Sequence, residues 1–195
     1  MLLGALKRLK TRRMVLAELS SSSETKVMHI SDTPESSYRF IRELIEETRP
    51  DCIIHTGDLA DNIKLERRPE LRGLYRGALR KLAGILKGSG ARLYIVPGNE
   101  DDPELVRGFF GDAVVEPGTV VEIKGVRLAL GHSWEDVADV EADFKLYGHN
   151  FRVIPKGLNA ILGVNFLFLP SGRVVRVDYP VGTDTYRGYK LRRGL

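Results

Sequence analysis

The sequence predicts an α/β fold in which two β-sheets pack face to face and are flanked by helices. Three observations predict this fold. In the first half, short apolar runs alternate with amphipathic helices, which is the βαβαβ pattern of a parallel sheet with right-handed crossovers. The second half is a series of short strands separated by glycine-rich turns. The chain has 195 residues, 43% of them hydrophobic, which suits one domain with a sizeable core.

Short apolar runs mark the predicted strands. Those of the first half are residues 27–30, 51–55 and 92–96. Those of the second half are residues 120–123, 126–130, 144–147, 151–154, 160–169 and 174–179. Turns at Gly125 and at Ser171 and Gly172 suit hairpins. We therefore expect the second half to form a β-meander that packs against the first sheet.

Amphipathic periodicity predicts three helices in the first half and just after it. The first covers residues 38–49 and has an apolar face. The second covers residues 69–87 and is closed by Gly88, because glycine is common at helix C-termini. The third covers residues 103–110. Asp102 is its expected N-cap, since an aspartate followed by proline and glutamate suits the start of a helix.

Both ends of the chain differ from its middle. Residues 1–24 combine basic residues with a serine tract, so we interpret them as an N-terminal basic appendage and linker. Residues 25–180 form the predicted domain, and residues 181–195 form a basic tail. At the N-terminus a packing arm is favoured over a nucleic-acid or membrane-surface arm, because five charges make a modest electrostatic footprint. At the C-terminus a solvated terminus is favoured, because no folded basic motif supports a nucleic-acid role.

Composition excludes some classes of function and leaves others open. The 30 basic residues are set against 26 acidic ones, so the net charge of +4 does not name a partner. No apolar run is long enough to cross a membrane. The single cysteine, Cys52, cannot form an internal disulfide, and no secretory signal begins the chain, which predicts a cytoplasmic protein. The absence of glutamine and the abundance of arginine suit a protein kept at high temperature.

Polar residues follow the predicted strands at their carboxyl ends. Asp32, Asp58 and Asn99 follow the first three strands, and His132 and His149 follow two strands of the second half. Ligands gather at the carboxyl ends of parallel strands. Each residue alone is also explained as a helix cap or turn residue. Their recurrence, however, predicts a site for Mn²⁺, Fe²⁺, Zn²⁺ or Ni²⁺, ions that accept mixed oxygen and nitrogen ligands.

Neighbouring residues refine this prediction. Glycine directly precedes each of these residues except Asp32, and glycine lets the backbone bend sharply and approach an ion closely. His29 and His55 lie within strand runs, before the polar ends. We therefore interpret them as core or supporting histidines rather than as metal ligands.

These residues resemble the signature blocks of the calcineurin-like metallophosphoesterases, in particular the small archaeal and bacterial single-domain phosphodiesterases. The likeness covers residues 26 to about 179 in the family's block order. The blocks are Ile30-Ser31-Asp32-Thr33, Thr56-Gly57-Asp58-Leu59, Pro97-Gly98-Asn99-Glu100-Asp101, Leu130-Gly131-His132 and Tyr147-Gly148-His149-Asn150. The resemblance implies a two-sheet sandwich that holds two divalent metals, with a water or hydroxide attacking phosphorus. It implies that Asp58 bridges the metals and that Asp32 serves the first. The second metal would be completed by Asn99, His132 and His149.

Three positions depart from the family pattern. Pro34 and Phe151 stand where the family has histidines of the first metal, and Glu100 stands where it has a histidine or cysteine. We therefore expect one tightly bound ion and a second that is weak or absent. Glu35 or Glu100 is a candidate replacement ligand, which would favour Mn²⁺ or Mg²⁺ at that site. The alternative is that Glu35 is an ordinary first-turn glutamate and Glu100 a solvated loop charge.

Two functions compete on this evidence. The first is a metal-dependent phosphoesterase that acts on a small phosphate ester, with Asp58, Asn99, His132 and Glu100 as candidate catalytic residues. The second is a catalytically degenerate member of the fold that binds a phosphorylated ligand, nucleic acid or a partner protein. A nuclease role is possible but not favoured. Its support is the basic arm and a tail in which tyrosines alternate with Arg187, Lys190, Arg192 and Arg193.

Overall fold

The computed structural model describes residue 15 and residues 17–188. This part of the chain contains the strands β1 (Thr25–Ile30), β2 (Cys52–His55), β3 (Arg92–Ile95), β4 (Thr119–Ile123), β5 (Val126–Leu130), β6 (Phe144–Tyr147), β7 (Gly157–Asn159), β8 (Val164–Leu169) and β9 (Arg173–Val177). Residues 17–21 are helical, and the helices that follow are α1 (Tyr38–Thr48), α2 (Arg72–Gly88), α3 (Pro103–Phe110) and α4 (Thr183–Tyr186). No helix in these residues is both long and apolar enough to span a membrane.

The strands form two mixed sheets, which confirms the predicted fold class. In the first sheet the order is β3-β2-β1-β8-β9. Here β1, β2 and β3 are parallel, while β8 and β9 run antiparallel to their neighbours. In the second sheet the order is β4-β5-β6-β7, with an antiparallel β4–β5 hairpin followed by parallel pairs.

The β-meander expected for the second half is wrong. β5, β6 and β7 are parallel, so long loops rather than hairpins connect them, and β8 returns to the first sheet to pair with β1. The strand predicted at residues 151–154 is part of such a loop, and Phe151 and Val153 are exposed. The strand predicted at 160–169 begins only at Val164, because Ala160–Leu162 form a 3₁₀ turn that the Asn159 side chain caps.

The predicted helices are confirmed, with shifted ends. α1 stops at Thr48 because Arg49 adopts a left-handed conformation with φ of 45°. α2 starts after a 3₁₀ turn at Pro69–Leu71 and includes Gly88 as its last residue, so Gly88 is not the residue that ends it; Gly90 takes the positive φ there. The Asp102 carboxylate accepts a hydrogen bond from the Leu105 backbone at 2.9 Å, which makes it the N-cap of α3 as predicted.

The first sheet is buried on both faces, which explains why its strands read as continuous apolar runs. On one face Met28 and Phe166 pack in the same core as α1, α2 and α3. On the other face Val27 and Leu167 pack against residues of the second sheet such as Leu128. This face-to-face packing places the carboxyl ends of β1, β2, β3, β5 and β6 at a common edge.

Both predicted appendages have parts that pack on the domain. Leu19, directly before the serine tract, is fully buried in the core beneath the helices. Arg187, in the predicted basic tail, is only 2% exposed. The other basic tail residues, Lys190, Arg192 and Arg193, lie outside the described residues, as do the basic residues of the arm.

Candidate metal centre

All five residues predicted at strand ends lie at the common edge of the two sheets. Asp32 and His149 are joined there, because the His149 backbone N–H donates to Asp32 Oδ2 at 3.0 Å. Asn99 Oδ1 lies 3.0 Å from His132 Nε2, which in turn lies 3.6 Å from Asp58 Oδ1. Ligand atoms of Asp58, His132 and His149 are all within 4.8 Å of one another. The structure therefore brings together residues that are up to 117 positions apart.

The backbone is strained at three of these residues. Asp32, Asp58 and His149 have φ values of 50°, 57° and 67°, in the left-handed region that residues other than glycine seldom adopt. Such strain costs on the order of 1 kcal/mol or more per residue and tends to occur at functional sites. Each of the three sits where the chain turns away from a strand, so the strain aims its side chain at the common edge.

Glycine is required where two of the loops touch. A Cβ atom on Gly98 would lie nearer than 3.0 Å to Asp58 Oδ1, and one on Gly148 would lie nearer than 3.0 Å to Ser31 Oγ and Asp32 Oδ2. Real Cβ atoms essentially never approach other atoms so closely. Glycine is therefore needed before Asn99 and His149 for a steric reason, because a Cβ atom there would overlap a neighbouring carboxylate.

The hydrogen bonds of His132 fix which ring nitrogen carries a lone pair. Its Nδ1 lies 2.8 Å from the Thr56 carbonyl oxygen, which only accepts, so Nδ1 carries the proton. In the neutral ring, Nε2 is then an acceptor. The Asn99 amide is fixed as well, because its Nδ2 donates to Glu66 Oε2 at 2.8 Å and its Oδ1 faces His132.

His132 Nε2 lies 3.0 Å from Asn99 Oδ1 and 3.1 Å from His149 Nδ1, so three possible ligand atoms face one point. With ligand bonds of about 2.1 Å, two ligands at right angles around one ion are about 3.0 Å apart. The spacing and the donor types therefore fit a divalent ion, and the Nδ1–H bond to a carbonyl is the usual support of a metal-binding histidine.

A second group of ligand atoms shares Asp58 with the first. One carboxylate oxygen from each of Asp32, Asp58 and Asp61 lies within 4.8 Å of the other two, and all three residues are at most 3% exposed. Asp61 was not among the predicted site residues. Burial raises the pKa of Asp58, and the nearby Asp32 raises it further. Burial and then Asp32 also raise the pKa of Asp61, to about 7, although Lys64 opposes the rise.

Two further aspartates hold the loops in place. The Asp101 carboxylate accepts hydrogen bonds from the backbone of Gly98, Asp58 and Leu59, each at 2.8 Å, and from the Tyr75 hydroxyl. Burial raises its pKa, while these donors oppose the rise. Asp136 Oδ2 accepts from the backbone of His132 and Ser133 at 2.8 Å. Neither role was predicted from the sequence.

His29 and His55 support the site from below, as expected. Both are fully buried, and burial is the main cause that lowers the pKa of each from 6.5 to about 3, so both rings are neutral. His29 Nε2 bonds Thr56 Oγ1 at 3.0 Å, and His55 Nε2 bonds Thr33 Oγ1 at 2.9 Å. The Thr33 hydroxyl donates to the Leu59 carbonyl, which ties the loops after β1 and β2 together.

The two glutamates considered as replacement ligands have other partners. Glu35 forms an ion pair with Lys81 at 2.9 Å on the surface. Glu100 is buried rather than solvated, and its Oε2 accepts from the Glu66 backbone at 3.0 Å while its Oε1 lies 4.0 Å from Lys64. Neither glutamate belongs to either group of converging ligand atoms.

A cleft of about 310 Å³ opens beside Asn99. Its charged lining consists of Glu66, Arg72, Asp101, Asp102 and Glu104. The only basic residue of that lining is ion-paired to two of the acids. The cleft is therefore acidic and adjoins the proposed ligand Asn99.

Comparisons with known proteins identify the family and the fold. A model of the calcineurin-like phosphoesterase family matches residues 25–181. Among solved structures, YfcE, described as a phosphoesterase from E. coli, is 15% identical with a TM-score of 0.51. The match covers 80% of this chain and all of that one. TT1561 of Thermus thermophilus is 10% identical with a TM-score of 0.50, over 80% of this chain and 99% of that one. At these identities the two structures establish similarity of fold. No curated protein matches the chain.

Proposed function

This chain belongs to the calcineurin-like phosphoesterase family, and we propose that it is a metal-dependent phosphoesterase that hydrolyses a small phosphate ester. The observation that carries the proposal is the convergence of ligand atoms at the common edge, where His132 Nε2 lies 3.0 Å from Asn99 Oδ1 and ligand atoms of Asp58, His132 and His149 lie within 4.8 Å of one another. We assign one divalent ion to these four residues. Mn²⁺, Fe²⁺, Zn²⁺ and Ni²⁺ all suit this mixture of ligands.

The chain's residues prepare this site before any ion or substrate binds. The Thr56 carbonyl holds His132 in the tautomer that presents Nε2, and Glu66 holds Asn99 with its oxygen towards His132. The Asp101 carboxylate accepts three backbone hydrogen bonds, which fix the loop of Asp58 and join it to a second loop. When bound, the ion supplies positive charge against the phosphate group and lowers the pKa of water, which is the chemistry that phosphoester hydrolysis needs.

The acidic cleft supports a small ester over nucleic acid as the substrate. Glu66, Asp102 and Glu104 line the space beside Asn99, and Arg72 is engaged by the last two. A polyanionic strand would be repelled there, whereas a phosphate ester with a neutral or cationic leaving group would not. Tail residue Arg187 does not support a nucleic-acid surface, because it is buried.

The test combines metal analysis with hydrolysis. Protein purified without chelator should contain a divalent ion, and it should hydrolyse an aryl phosphodiester or phosphomonoester with at least one of the four ions. His132→Ala and Asn99→Ala should each lower the metal content and the rate at least tenfold, because each removes a ligand. Asp112→Ala is the control, since Asp112 is exposed and belongs to neither group of ligand atoms, so this variant should keep both properties.

Two results would contradict the proposal. Metal content unchanged in both ligand variants would show that the ion binds elsewhere. Metal bound as proposed, with no hydrolysis of either ester at any ion concentration, would instead favour the degenerate member that binds a phosphorylated ligand.

A further inference from the structure

Asp61 carries a buried oxygen that has no partner within the described residues. The side chain is 1% exposed, and its Oδ1 forms an ion pair with Lys64. Its Oδ2 is the only buried side-chain nitrogen or oxygen of the described chain that makes no hydrogen bond. Leaving such an atom buried and unsatisfied costs about 1–3 kcal/mol, so native proteins usually provide a partner.

The backbone around Asp61 is held in place. The Asp61 N–H donates to the Thr33 carbonyl at 3.3 Å. The Leu59 carbonyl accepts from the Thr33 hydroxyl at 3.0 Å and from the Tyr38 hydroxyl at 2.7 Å. These bonds join the turn that contains Asp61 to the loop that contains Asp32. The carboxylate therefore has a fixed position next to Asp32 and Asp58, with oxygens of all three within 4.8 Å.

The charge of the three carboxylates is only partly balanced by protein cations. Lys64 contacts Asp61, but its ammonium also lies 4.0 Å from Glu100. The Arg187 guanidinium reaches the backbone of Asp32 and forms its ion pair with Asp184. A single divalent ion bound by the three carboxylates would both balance the remaining negative charge and provide a partner for the unpartnered oxygen.

We propose that Asp61 replaces the lost histidine ligands of the first metal, so that Asp32, Asp58 and Asp61 bind a second divalent ion that shares Asp58 with the first. The family's histidine positions hold Pro34, which has no ligand atom, and Phe151, which is 50% exposed. Exchange of imidazole nitrogens for a carboxylate makes this a site for hard cations, Mn²⁺ or Mg²⁺, and not for Zn²⁺ or Ni²⁺. The proposal rests on the proposed function, because Asp58 belongs to both sites.

The first test counts Mn²⁺ ions. Chelator-stripped wild type should bind two Mn²⁺ per chain in a calorimetric titration, and its electron paramagnetic resonance spectrum should show two coupled ions. Asp61→Asn should bind one Mn²⁺, with the affinity of the second lowered at least tenfold and the coupled spectrum lost. Asp112→Asn, which neutralises an exposed aspartate, is the matched control and should behave as wild type.

A second variant keeps the proposal testable if Asp61→Asn folds poorly. Asp61→Cys places a thiolate where the carboxylate was, and Co²⁺ bound there should give a thiolate-to-cobalt absorption band in the near ultraviolet. Wild type is its control, because its single thiol, Cys52, is buried and lies outside both ligand groups. A residue that only shapes the loop would produce no such band.

The outcomes separate this inference from the proposed function. If wild type binds two Mn²⁺ and Asp61→Asn keeps both within threefold affinity, Asp61 is not a ligand. If wild type binds one Mn²⁺, and His132→Ala abolishes that binding, the second site is refuted and the proposed function stands. If wild type binds no divalent ion, both fail together. Absence of the cobalt band in folded Asp61→Cys also overturns the inference.

Discussion

Replacement of Arg187 by alanine should strongly destabilise the protein, because this side chain binds the loop of Asp32 from inside the fold. The guanidinium donates to the backbone carbonyls of Asp32 at 2.7 Å and Ile161 at 3.1 Å, and to Asp184 Oδ1 at 2.9 Å. It also lies over the Tyr179 ring, 4.3 Å from the centroid. The residue is 2% exposed, so water cannot easily replace these contacts.

The magnitude follows from the groups left behind. The guanidinium also donates to the Ser31 carbonyl at 3.3 Å, but that carbonyl keeps the Tyr179 hydroxyl as a donor. The Asp32 and Ile161 carbonyls lose theirs, which should cost about 1–3 kcal/mol each, and loss of the cation–π contact should add about 1 kcal/mol. We expect Arg187→Ala to lower the free energy of unfolding by about 4 kcal/mol. Arg187→Lys should lower it by about half as much, because lysine keeps the charge but not the planar set of donors.

Urea unfolding of metal-free protein, followed by circular dichroism, measures this effect. Arg67→Ala is the control, because Arg67 is exposed and should change the free energy of unfolding by less than about 0.5 kcal/mol. A loss below about 1 kcal/mol in Arg187→Ala would refute the reasoning. It would mean that the segment carrying Arg187 does not pack on the domain in solution.

Three further predictions concern the cap, a loop contact and the buried histidines. Asp102→Ala should lower the free energy of unfolding by about 1 kcal/mol through loss of the α3 cap, with unchanged metal content in elemental analysis. Gly148→Ala should lower metal content and stability together, because the added methyl group would overlap Asp32 Oδ2; wild-type metal content would contradict this. The pKa values of His29 and His55, about 3 against the usual 6.5, mean that the unfolded chain takes up protons first as the pH falls. Metal-free protein should therefore lose stability below pH 6.5, approaching about 1.4 kcal/mol per pH unit for each histidine, and His29→Gln should lower this slope in urea titrations between about pH 6 and 5.

The elements that could be predicted from sequence are those with local causes. α3 and its cap follow from the order Asp102-Pro103-Glu104, and β5 and β6 have the predicted bounds because each is an apolar run between polar turns. Strand direction has no such local cause. The loop at residues 131–143 carries no helical or strand period, and the loop at 148–156 contains an apolar run that was predicted as a strand. Nothing in either loop indicated the parallel arrangement of β5, β6 and β7.

The residues at the strand ends could be predicted for a geometric reason, since parallel strands bring their carboxyl ends to one edge. Asp101 and Asp136 could not, because their role is to accept backbone N–H groups. Which N–H groups face a carboxylate depends on the path of each loop in space. The contacts of Glu100 could not be predicted for the same reason. Its neighbour Asp101 turns towards the loops, whereas Glu100 turns towards Glu66 and Lys64.

Asp61 differs from these, because its sequence does contain a signal. Asp58 and Asp61 enclose Leu59 and Ala60, which are fully or almost fully buried. An apolar pair between two acids after a strand is best buried by a turn, and a turn of this length places the first and fourth residues on one side. The family motifs show which two ligands are absent, because Pro34 and Phe151 stand at their positions. A compensating ligand need only lie near the metal site in space. The proposed ligand Asp61 lies in the turn that begins at Asp58, whereas the prediction from sequence considered Glu35, next to the position of a lost histidine.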